Sequence, residues 1–83
     1  MNRQLTDIAV SDTGFVFDPS TGQTFWLNRT ALFIVRKLQD GISLTEAVNH
    51  LSQEFDTDKG TAMEDVKEFV SLMRGMGFKI DAS

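Results

Sequence analysis

The sequence predicts an α+β fold, a three-stranded antiparallel sheet followed by three helices, with residues 1–83 forming one domain. Three observations carry this. Turn-forming stretches at 11–14 and 18–22 separate three short runs of β-branched, aromatic and aliphatic residues. Residues 22–41 pass from an aromatic strand into an apolar helix with no loop between them. Two further helix starts, at Ser43 and at Asp58 or Thr61, each precede an apolar stripe at helical spacing.

The first strand is marked by Ile8 and Val10, which alternate with polar neighbours, and Ser11 to Gly14 offers the turn into Phe15, Val16 and Phe17. Asp18-Pro19-Ser20-Thr21-Gly22 makes the next turn: proline presets one dihedral, glycine permits a positive φ, and Asp or Ser bonds the local backbone. Thr24 to Leu27 then forms the third strand. Strand alternation assigns Ile8, Val10, Phe15, Phe17, Phe25 and Leu27 to the core face, and Val16 and Trp26 to the other. Asn28 has a side-chain oxygen suited to capping the first helix, whose Ala31, Ile34, Val35 and Leu38 recur at i, i+3, i+4 and i+7 until Gly41 closes it. Ser43-x-x-Glu46 has the form of a capping box for the second helix, with Ala47, Val48, Leu51 and Phe55 as its stripe. Ala62, Val66, Phe69, Val70 and Met73 mark the third, after which Phe78 and Ile80 pack back.

A chain of 83 residues buries only roughly 60% of its unfolded surface, which makes a deep water-excluding cleft hard to build. Without Cys there is no disulfide framework, thiolate nucleophile or cysteine metal site. The N-terminus lacks an apolar signal region and no apolar run approaches the ~20 residues of a membrane span, so a cytoplasmic protein without membrane partners is expected. The formal net charge of −4 is uneven: residues 40 to 68 hold eight acids against Lys59 and Lys67. Such a surface repels phosphate backbones.

Catalytic and metal constellations are not apparent. His50 is the sole imidazole and reads as a surface helix residue, since general-base and metal sites combine several such groups. Asp56-x-Asp58-x-Gly60 begins like a calcium loop but lacks the required residues at Gly60, Thr61 and Lys67. Glu64 and Glu68 share a helix face with Asp65 nearby and are best explained as a solvated acidic surface. Asn28-x-Thr30 matches a glycosylation acceptor only formally. No base is placed to activate a Ser or Thr, so the chain is expected to be no enzyme and to need no cofactor.

Gly22-Gln23-Thr24-Phe25-Trp26-Leu27-Asn28, followed by Ala31, Ile34, Leu38 and Gly41, resembles the PqqD family, whose founding member acts in pyrroloquinoline quinone biosynthesis. Leu44 to Phe55, Asp58, Asp65-Val66, Phe69-Val70, Leu72 and Gly77-Phe78 continue the pattern, so that the likeness covers about residues 8 to 80. It is a pattern of apolar spacing with no catalytic motif. The resemblance implies a winged-helix-like domain, a RiPP recognition element, that holds the leader of a ribosomally made precursor peptide and presents it to a modifying enzyme. It leaves open whether that enzyme is a radical SAM protein or part of an HPr-kinase-related system. Asp81-Ala82-Ser83 is too short for a second domain, so the enzyme is expected on a separate chain.

A physical mechanism agrees with this. In a meander of order 1-2-3 the third strand is an edge whose free N–H and C=O groups accept an added strand. Backbone pairing carries little sequence preference, so specificity is expected from side chains lining a groove between that strand and the third helix. The candidates are Gln23, Thr24, Phe25 and Trp26 on the strand, with Met63, Val66, Lys67, Val70 and Arg74 on the helix. Lys67 and Arg74 offer charge to an acidic leader residue, or pair with Glu64 and nearby acids. Phe25, Val66 and Val70 also suit a plain core role. The rivals are a winged-helix DNA binder, disfavoured by Glu46, Glu54, Glu64, Asp65 and Glu68 on its helices, and an assembly protein whose edge strand pairs with its own copy in a homodimer.

Overall fold

In the computed structural model, which describes residues 3–80, the chain runs β1 (Arg3–Gln4), a 3-10 turn (Leu5–Asp7), β2 (Ala9–Val10), β3 (Phe15–Phe17), β4 (Thr24–Trp26), α1 (Arg29–Gln39), α2 (Leu44–Glu54), α3 (Lys59–Gly75) and β5 (Phe78–Lys79). Asp81-Ala82-Ser83 lies outside the described residues. β2, β3 and β4 form the expected antiparallel sheet in that order, followed by the three helices. A second, two-stranded sheet joins β1 to β5 in parallel, with Arg3 opposite Phe78. The sequence patterns did not announce it, because a two-residue strand has no periodicity to read.

The local chemistry of the helix ends is as expected. Asn28 Oδ1 accepts the Ala31 N–H at 2.8 Å, and Gly41 takes φ +85° beyond the last turn of α1. Ser43 Oγ accepts the Glu46 N–H at 3.2 Å; the Glu46 side chain makes no reciprocal bond, so this cap is only half of a capping box. Asp58, rather than Thr61, caps α3, accepting the Thr61 N–H at 2.8 Å and the Thr61 hydroxyl at 3.2 Å. The predicted stripes are buried at Ile34 and Val35, at Ala47, Val48 and Leu51, and at Ala62, Val66, Phe69, Val70 and Met73. Phe78 and Ile80 pack back beneath them.

The sheet corrects the expected facing of β3. Val10 pairs with Val16 and Val16 with Phe25, so these three share one face, and Val16 is wholly buried. Phe15 and Phe17 lie on the opposite face beside Trp26 and Thr24, and Phe17 is 42% exposed. Three consecutive apolar residues satisfy period two in either phase; the turns on both sides set the phase. Gly14 (φ +95°) accepts the Leu27 N–H at 2.8 Å, and Gln23 accepts the Asp18 N–H at 2.9 Å, fixing β4 against β3 at both ends.

Candidate functional site

Sheet order leaves β4 at a margin: among the described residues no strand pairs with its outer side. Hydrogen-bonded positions in an antiparallel ladder alternate. Leu27 and Gln23, each two residues from Phe25, bond inward to β3 and its flanks, so the main chains of Thr24 and Trp26, one residue on either side of Phe25, face outward. The margin is held by its preceding turn. The Asp18 carboxylate accepts the Ser20 N–H at 3.0 Å and the Ser20 hydroxyl at 2.7 Å, and it pairs with the Arg3 guanidinium; Gly22, at φ +76°, donates to Asp18 O at 2.7 Å. The Ser20 hydrogen bonds and the Arg3 charge outweigh the opposing effect of burial and hold the Asp18 carboxyl below its ordinary value.

On this strand Gln23 and Thr24 are exposed and Phe25 is half-buried against the core. Trp26 is 68% exposed and meets Phe15 edge to face, with centroids 4.9 Å apart at 60°. Its orientation away from the core follows the expectation. The contact with Phe15 covers part of the indole and leaves the rest exposed.

All five candidates on α3 line one cavity of about 590 Å³. Val66 and Val70 are buried in its floor, Met63 is 47% exposed, and Lys67 and Arg74 stand exposed at its mouth. Its opposite wall is α2, through Leu44, Thr45, Val48 and Asn49, and no β4 residue borders it. The helix candidates thus share this cavity with α2, and the strand candidates lie outside its lining. Sequence reasoning missed the α2 wall and Lys59, the third cation of the lining. Leu44, four residues before the stripe residue Val48 and with Thr45 and Asn49 beside them, extends that stripe to a side whose facing the sequence did not show.

The lining carries positive side chains on an acidic chain. Its ionisable residues are Lys59, Lys67 and Arg74, with no carboxylate in the lining. Ion pairs among the described residues join Arg3 to Asp18 and Arg36 to Asp12, so neither Lys67 nor Arg74 is paired with Glu64. Arg74 instead donates to Ile80 O at 2.5 Å. His50 departs from its expected surface position: it is half-buried, and its Nδ1 has no hydrogen-bond partner among the described residues. No His, Asp or Glu residues gather in a group of three suited to a metal ion among the described residues. No helix there is long and apolar enough to cross a membrane.

The chain matches the family model for Coenzyme PQQ synthesis protein D (PqqD) over residues 14–78. Among solved structures it is similar to lasso peptide synthetase B1 complexed with the leader peptide, at 30% identity and a TM-score of 0.72, with 84% of each chain covered. No curated protein matches it.

Proposed function

The chain belongs to the PqqD family, and from that premise we propose that it is a non-catalytic domain that binds the leader of a ribosomally made precursor peptide and presents it to a separate modifying enzyme. The single observation that carries this is the margin of β4, unpaired among the described residues and bearing an exposed tryptophan, in a chain similar to a protein solved with a leader peptide. The leader adds a strand along Gln23 to Trp26, its main chain bonding the outward groups of Thr24 and Trp26. The side chains of Trp26 and Phe25 then grip it, and Met63, Val66, Lys67, Val70 and Arg74 supply contacts on α3. No bond of the peptide is made or broken here; a radical SAM or HPr-kinase-related enzyme carries out the chemistry.

Titration of the ¹⁵N-labelled chain with the precursor peptide encoded beside its gene tests the proposal. Binding with a Kd on the order of 1 µM or tighter is expected, with amide shifts over residues 22–28 and 62–74. An unmodified peptide must be recovered at the end. Absence of binding at millimolar peptide, or shifts that spare β4, would overturn it.

A further inference from the structure

The geometry points to a leader with two recognised parts, the second an acidic amphipathic helical segment that docks between α2 and α3. This rests on the leader-binding proposal and adds the chemistry of what enters the cavity. A segment paired with β4 leaves the cavity to another stretch of peptide, because no β4 residue borders it. The cavity falls within the ~300–1,000 Å³ range of ligand sites, and its floor of Leu44, Val48, Val66 and Val70 asks for apolar side chains.

Charge selects the flanks of that segment. On a chain of net charge −4, the ionisable groups lining this cavity are all cations, and Lys59 and Lys67 make no ion pair among the described residues. A carboxylate-bearing segment meets these cations, whereas a basic one is repelled. A helical segment suits the spacing of these cations. Lys59, Lys67 and Arg74 follow at intervals of eight and seven residues on α3, about 12 and 10.5 Å along the axis at ~1.5 Å per residue. A helix laid alongside presents carboxylates at the same interval from one flank while leucine-like residues at i, i+3, i+4 and i+7 fill the groove.

The test uses the full chain and two labelled synthetic probes. One is a short amphipathic helix with leucines at i, i+3, i+4 and i+7 and glutamates on its flanks; the other has lysine in place of each glutamate. Fluorescence anisotropy is expected to show the acidic probe binding at least about tenfold more tightly. Charge reversal by Lys59→Glu together with Lys67→Glu, both at exposed positions, is expected to invert that preference, a result that a merely unfolded variant does not give. The same double variant is expected to weaken binding of the precursor leader about fivefold or more while the amide shifts at 22–28 persist. Equal affinity for both probes, or a leader affinity unchanged by the double variant, would overturn the inference. A wild-type chain that binds the acidic probe but no leader refutes the leader assignment in both proposals. A leader that shifts β4 alone refutes only the second docking site.

Discussion

Asp18 is the buried carboxylate among the described residues, and it ties the turn before β4 to the N-terminal strand through Ser20 and Arg3. Because its folded pKa lies below the unfolded value, its contribution to stability is complete above the unfolded pKa near ~4 and is lost as pH falls through the folded pKa. Urea titrations between pH 7 and pH 3 are expected to show stability falling at the acid end. Asp18→Asn is expected to lower stability at pH 7 and flatten that acid limb. Gly14 sets a different constraint. A Cβ there would stand 2.4 Å from Leu27 O at φ +95°, so Gly14→Ala is expected to cost about 2 kcal/mol or more and to displace the start of α1. Gly22→Ala, at φ +76° with open space around it, is expected to cost only about 1 kcal/mol. Equal costs at the two sites would contradict the contact with Leu27.

At the scale of elements, the facing of β3 decides which aromatic residues are available. Val16→Ala removes methyl groups from a wholly buried position and is expected to cost about 2 kcal/mol, whereas Phe17→Ser on the outer face should stay within about 0.5 kcal/mol. The reverse order in thermal or chemical unfolding would restore the phase that sequence alternation favoured. The same register turns the N–H of Trp26 away from β3, where the proposed leader strand would pair. Trp26→Pro is therefore expected to abolish leader binding while most of the β3–β4 ladder persists, and Trp26→Ala to weaken it by roughly tenfold, consistent with loss of one aromatic anchor. Titration calorimetry with the precursor peptide distinguishes these outcomes. Leader binding undiminished in the proline variant would place the peptide elsewhere. Helix ends are more local: Asn28→Ala, Ser43→Ala and Asp58→Ala each remove one accepted N–H bond and are each expected to cost about 1 kcal/mol.

For the whole molecule, the elements proposed to bind sit on a small core against which β1 and β5 pair. β1 lies parallel to β5, and the Arg3 guanidinium stacks 4.4 Å from the Phe78 ring centroid while it pairs with Asp18. One side chain thus connects the N-terminal strand, the C-terminal strand and the turn that sets β4. Ligand that binds the folded chain alone stabilises it by mass action, about 2.7 kcal/mol at a hundredfold excess over Kd. Saturating leader is expected to raise Tm by several degrees, and no comparable rise is expected with duplex DNA. Self-association is the competing use of the same margin. Concentration-dependent sedimentation that leader peptide does not reverse would favour a homodimer through β4.

The sequence by itself determined the features whose causes lie within a few residues of each other. Asn28, Ser43 and Asp58 begin helices because their oxygens reach an N–H three residues on; Gly22 and Gly41 permit turns; and the apolar stripes mark which face of each helix is buried. The strand order and the edge position of β4 followed from short turns, and the family likeness from the same spacing. Tertiary structure alone decided the phase of Phe15-Val16-Phe17, the meeting of Arg3 with Phe78, and α2 as the wall facing Met63 and Lys67. Each of these depends on where separate elements come to rest, and a one-residue shift of a strand exchanges its faces without changing its composition. Local hydrogen bonding and periodicity are written along the chain, whereas register and facing are fixed only when the whole core closes.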